Sequence, residues 1–167
     1  MKYLLCLIMM SVLSQANIAM AHSIDSNKAR LTLRDGQAEL RLHIDMQHWF
    51  QALQDPAAWI LGDTNTVMAP NLTATQQQAF IKDLLESNTV LHLNKAVVAL
   101  QLKSLHTLTH PTGQAELVLE GLHHNKGLEI EQVSLTLPPS LGAIHLNVVR
   151  PQYRMLAAGK TALITFN

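Results

Sequence analysis

The sequence is almost without cysteine. One residue, Cys6, occurs in 167. It lies inside an N-terminal apolar run, "YLLCLIMMSVL", which follows a single positive charge at Lys2 and ends in the polar break "SQAN". Small residues, Ala19 and Ala21, then stand at the −3 and −1 positions of a cleavage site, so residues 1–21 read as a secretory signal peptide. The short charged region before the run is of bacterial type, which places the product in the periplasm. Cys6 follows Leu5 rather than a small residue, so lipid attachment is not expected. Cleavage after Ala21 removes the only thiol, and with it any disulfide or thiolate metal site.

Other scarcities narrow the function. No second apolar stretch approaches the length of a membrane span, so no direct membrane anchor is expected. Twelve basic and twelve acidic residues cancel, which argues against nucleic acid or an anionic bilayer as partner. Aromatic residues make up only 4 %, and Trp49 and Trp59, at their spacing, are better suited to a core than to a sugar platform. No G-x-S-x-G, H-E-x-x-H or comparable catalytic set occurs, so no enzyme is indicated. Same-face acidic pairs, Glu116/Glu120 and Glu129/Glu131, read as solvated sheet faces rather than paired carboxylates for glycoside chemistry.

What remains after cleavage, residues 22–167, is long enough for one domain with an ordinary core. "KARLTLRDGQAELRLHIDM" (28–46) consists of two alternating runs around Asp35-Gly36, a hairpin signal. A two-residue turn pairs Arg34 with Gln37, Leu33 with Ala38, Leu31 with Leu40 and Ala29 with Leu42, which puts the apolar residues on one face. Arg30 and Arg41 then lie opposite each other on the polar face. Like charges so placed are mildly unfavourable, so that face is either well solvated or offered to an acidic partner; Arg30, Arg34 and Arg41 are its candidate contacts.

Helical spacing follows at 47–53, with a second turn expected from Asp55-Pro56 to Gly62 and loop over 65–72. "TATQQQAFIKDLLESN" (73–88) predicts an amphipathic helix with Thr75 and Gln78 as its capping box and Phe80, Ile81, Leu84 and Leu85 as its buried stripe. From 89 onward the chain alternates as strands. A hairpin turns at Asn94-Lys95, two strands flank "HHNKG" with a parity change near Glu131-Gln132 that predicts a bulge, and "GAIHLNVV" and "KTALITF" close the series. About eight strands with a short helical insertion predict a mainly β fold, an immunoglobulin-like β-sandwich.

Nine histidines survive cleavage. His22 would become the new N-terminus, where its amine and imidazole together can chelate copper, nickel or zinc. His43, Asp45 and His48 are its candidate co-ligands, since extending the first hairpin backwards brings the terminus toward residues 45–49. His92 and His145 read as solvated. His106/His110 and His123-His124 lack the same-face geometry of a helical pair.

The segment "LPPSLGAIHLNVVRPQYRMLAAGKTALITF" (137–166), with the "AHSIDSNKARLTL" start, the Trp/Phe segment and the "VLHLNKAVVALQL" hairpin, resembles the periplasmic β-rich domains found with HupE/UreJ-type membrane proteins. That resemblance implies an accessory role in nickel or cobalt handling beside an inner-membrane transporter, although this chain carries none of those membrane helices. The start is also similar in kind to CopC-like periplasmic copper proteins, which open with a histidine, but no Asp-x-His pair follows. The expectation is therefore an exported accessory or binding protein that holds a divalent transition metal through His22, with a metal-free protein-interaction module of the envelope as the alternative.

Overall fold

A computed structural model describes residues 27–34, 36–55, 67–108, 113–124 and 130–151. The signal segment, His22, Asp35, the expected turn from Pro56 to Gly62 with Trp59, His110 and the "KTALITF" run lie outside the described residues. The chain is mainly β, with two sheets and two α-helices among the described residues.

The first hairpin has the register that the alternation dictates. Strand β1 (Lys28–Arg34) runs antiparallel to β2 (Gln37–Asp45), with Leu33 opposite Ala38, Leu31 opposite Leu40, Ala29 opposite Leu42, and Arg30 opposite Arg41. Ala29, Leu31, Leu33, Ala38, Leu40, Leu42 and Ile44 are all buried. A one-residue slip would send this entire set to the solvent face, which is why the register is so firmly specified.

β2 ends in a residue with two roles. Asp45 closes the strand and caps helix α1 (Met46–Leu53): its Oδ1 accepts from the backbone N–H of His48 at 3.1 Å. A carboxylate there satisfies one of the N–H groups that the first helical turn leaves without a partner. The helix buries Met46, Trp49 and Leu53. Trp49 Nε1 donates to Ser140 Oγ at 3.0 Å, so the indole is satisfied inside the core. Helix α2 (Ala74–Asn88) buries Ile81, Leu84 and Leu85, with Phe80 half-buried. Its capping box is Thr73/Gln76 rather than Thr75/Gln78: Thr73 Oγ1 accepts from Gln76 N at 3.3 Å, and Gln76 Oε1 accepts from Thr73 N at 2.9 Å. Both pairs have the required spacing, and the earlier one gives the longer helix.

Strands β3 (Val90–Leu93) and β4 (Ala96–Val98) form the expected hairpin around Asn94-Lys95, with Asn94 at φ +55°. The chain then leaves that sheet. After Ala99 and Leu100 it continues as β5 (Gln101–Thr107), which pairs with β6 (Gln114–Leu122) in the other sheet. "AVVALQL" is therefore a corner between sheets, not one strand. At this corner β6 carries Gly121, where a Cβ would stand 2.5 Å from Ala99 O. β5 has a bulge at Lys103, and its N–H at Leu102 is held by Glu86 Oε1 of α2 at 2.9 Å.

β6 and β7 (Val133–Thr136) do not form a hairpin across "HHNKG", because β6 belongs to the larger sheet and β7 pairs with β3 in the smaller. Near the expected bulge, Asn94 Oδ1 accepts from both Glu131 N and Gln132 N, at 2.9 and 3.1 Å. A 3₁₀ turn (Pro139–Leu141) leads to β8 (His145–Val149), which lies parallel to β1. The larger sheet has the order β5-β6-β2-β1-β8 and the smaller β4-β3-β7. One hydrophobic cluster draws on both sheets and both helices, from Leu31, Leu40 and Leu117 to Leu91, Leu93, Trp49 and Leu85. Asn27 fastens the end of this core: its Oδ1 accepts from Asp45 N, its Nδ2 donates to Leu141 O, and its carbonyl accepts from His145 N.

Candidate functional site: the polar face of the five-stranded sheet

Once the inner face of the larger sheet is committed to the core, strand alternation sends every second residue outward. The pairings assemble these residues into rows. His106, Glu116, His43, Lys28 and His145 share one row; Ser104, Val118, Arg41, Arg30 and Asn147 share the next. Cations gather on β1 and carboxylates on β6, with β2 holding both.

The facing pair Arg30/Arg41 is resolved unequally. Arg41 is ion-paired with Glu116 at 2.6 Å and with Glu39 at 3.2 Å. Its guanidinium is held above its ordinary pKa, chiefly by the hydrogen bond to Glu39, with the charges of Glu116 and Glu39 adding to it against the effect of burial. Glu116 also faces His43, with Oε2 3.4 Å from Nε2. Arg34 pairs with Glu39 at 3.3 Å. Arg30 is exposed and has no ion pair or hydrogen bond among the described residues; its row neighbour on β8 is Asn147. A groove beside it has Lys28, Arg41, His43, His145 and Asn147 along its sides, with Ala29 and Leu146 also in its lining.

Of the expected metal ligands, two are in contact among the described residues. Asp45 Oδ2 and His48 Nδ1 stand 2.6 Å apart, the local ion pair of a capped helix. Burial pushes the Asp45 carboxyl up, but the hydrogen bond from His48 N, the imidazole of His48 and the N–H of Gln47 together bring it below the ordinary carboxylate range. His43 faces Glu116 instead of joining them. Among the described residues no three His, Cys, Asp or Glu side chains are grouped, so Asp45 and His48 stand as a pair of residues. His22 lies outside the described residues. The three candidate arginines all occupy the expected polar face, but on different terms: two are paired and one is not.

Lys28, His145, Asn147 and Glu116 belong to this site as well. Glu116 shows in the sequence only as a same-face acid on a strand. His145 and Asn147 reach the site through the parallel β1–β8 pairing, which no local pattern encodes.

Comparison with models of protein families, with curated proteins and with solved structures returned no match. Among the described residues no helix is long and apolar enough to cross a membrane.

Proposed function

We propose that the protein is an exported, non-enzymatic accessory of the bacterial cell envelope that works by binding an acidic partner on the polar face of its larger sheet. Arg30 carries the proposal. Opposed by Arg41 and exposed without a carboxylate partner among the described residues, it presents an open charge beside the β8 edge of a face whose other two candidate arginines are already paired. The resemblance to the periplasmic domains that accompany HupE/UreJ-type proteins suggests an inner-membrane metal transporter as the partner. We take the two-sheet arrangement as a variant of the immunoglobulin-like sandwich, a scaffold suited to such recognition.

The test is reconstitution of the processed protein with the periplasmic loops of a co-encoded transporter. Binding at low salt that Arg30→Glu abolishes is the expected result. Equal binding by the wild type and Arg30→Glu would overturn the proposal.

A second reading, transient holding of Cu, Ni or Zn by His22, rests on one observation: Asp45 and His48 are already in contact at the end of β2 where the N-terminal segment begins. Its test is titration of the processed protein with Cu(II) and Ni(II) beside a form extended by one residue ahead of His22. Tighter binding by the free-terminus form is expected; equal affinity in both would end it.

A further inference from the structure

The inner face of the larger sheet is covered unevenly. Ala29 and Leu31 of β1 are 2 % and 0 % exposed, yet their partners on β8, Leu146 and Val148, are 47 % and 46 % exposed. Paired residues of neighbouring strands share a face, so Leu146 and Val148 carry the apolar side of the sheet past the point where the core covers it. Ile144, just ahead of β8, still packs against that core. Among the described residues no strand lies beyond β8. The other strand margins are shielded in ways that this one is not. β5 is bulged at Lys103 and gives its Leu102 N–H to Glu86 of α2. β4 and β7 are only three and four residues long. β8 has five residues, an unbroken register, and no lysine, arginine or carboxylate.

We infer that this margin is the seat of the chain's own C-terminal segment, with residues 160–166, "KTALITF", running antiparallel along β8 and laying Ala162, Ile164 and Phe166 over Leu146 and Val148. Residues 160–166 lie outside the described residues, and three observations name them as the occupant. The first is the tether. The described chain stops at Pro151, two residues after β8, and residues 152–167 follow from there. A segment held by so short a link competes at an effective concentration on the order of millimolar, ahead of a free partner. The second is the period. Ala162, Ile164 and Phe166 alternate along the sequence as Leu146 and Val148 do, so an extended chain presents all three to one side. The third is the length of the connection. Residues 152–159, ending in Gly159, suffice to turn the chain back antiparallel, whereas a parallel neighbour needs a crossover of about a dozen residues or more. Covering two half-exposed aliphatic side chains with three apolar ones is favourable by the ordinary hydrophobic effect.

The experiment uses the processed chain, residues 22–167, which contains no cysteine. Cysteine pairs are introduced in it and oxidised mildly at high dilution. Neighbouring strands bring same-face residues within disulfide reach, so at least one of Leu146→Cys/Ile164→Cys and Val148→Cys/Ile164→Cys should close within a single chain, seen as a faster band on a non-reducing gel. The pairs that replace Ile164→Cys by Thr165→Cys, on the opposite side of an extended segment, should stay reduced. A second readout needs no thiol: Ile164→Asp should lower the midpoint of thermal unfolding, and Thr165→Asp should leave it unchanged. Disulfides between two chains in place of one would give the margin to a second copy and overturn the inference. So would the absence of any disulfide, equal closure of the 164 and 165 pairs, or an Ile164→Asp protein that melts like Thr165→Asp. None of these outcomes bears on the acidic partner of Arg30, on which the inference does not draw.

Discussion

Gly121→Ala is the sharpest test of the fold, because ordinary propensity predicts the opposite of what the packing predicts. Glycine inside a strand costs about 0.5–1 kcal/mol relative to alanine through backbone entropy, so replacing it should stabilise β6. At this position, however, the new Cβ would meet Ala99 O at 2.5 Å, Val98 Cγ1 at 2.8 Å and Leu100 Cδ2 at 2.9 Å. The two side-chain atoms could turn aside in part. The carbonyl cannot move without the whole corner that carries the chain from the smaller sheet to the larger. Overpacking of this kind costs about 1–3 kcal/mol, and a clash with backbone belongs at the upper end. After the entropic gain, about 2 kcal/mol of net destabilisation remains, which for a chain of this size lowers Tm by roughly 4–8 °C. Gly142→Ala is the matched control: it has open space around it but φ +66° and ψ −155°, a region essentially reserved for glycine, so it should cost about 1–3 kcal/mol from strain alone. Urea denaturation of both variants measures the two effects. A Gly121→Ala protein as stable as the wild type, or more so, would refute the account of the corner.

Three further outcomes follow from particular contacts. Asp45→Ala should cost about 1 kcal/mol at neutral pH through loss of the cap on α1. Because the Asp45 carboxyl is held below its ordinary range in the fold, its contribution is present above the unfolded-state pKa and lost as pH falls through the folded one; the difference between variant and wild type in urea melts should therefore shrink between pH 6 and pH 3. Asn94→Asp should retain most of the stability and Asn94→Gly less, since both tolerate the left-handed turn but only aspartate keeps an acceptor for Glu131 N and Gln132 N; the expected gap in thermal melts is about 1 kcal/mol. Ser140→Ala should cost about 1–2 kcal/mol by leaving the buried Trp49 Nε1 without a partner, and a double-mutant cycle with Trp49→Phe should recover part of that loss.

The elements that were legible in the sequence share one property: the information lies within a few residues of itself. The β1–β2 register follows from a Gly turn and an unbroken alternation, and α2 follows from its apolar stripe. The start of α2 was misplaced by two residues: Thr75/Gln78 has the spacing of a capping box, and Thr73/Gln76, with the same spacing, is the pair that forms it. The β4–β5 corner was hidden because "AVVALQL" stays apolar across the bend, and the residue that makes the bend fit, Gly121, lies on another strand. The polar face was visible as far as one hairpin could show it. Arg30, Arg34 and Arg41 were found there, whereas Glu116, which settles Arg41, and β8, which completes the groove, come from pairings distant in the chain. Asp45 and His48 have the chemistry of ligands, and local geometry uses them first as a helix cap.

The parallel seam between β1 and β8 has a temporal consequence. The hydrogen bond from Asn27 to Leu141 that locks one end of it spans 114 residues. A ribosome delivers β1 among the first of these strands and β8 after all the others, so one side of β1 must wait, unpaired, while nearly everything else emerges. Closing so long a loop is entropically costly and slow, and a strand edge left open meanwhile invites wrong partners. The larger sheet therefore has no means of finishing until residue 149 has left the ribosome, and its last seam is the one that spans most of the described chain.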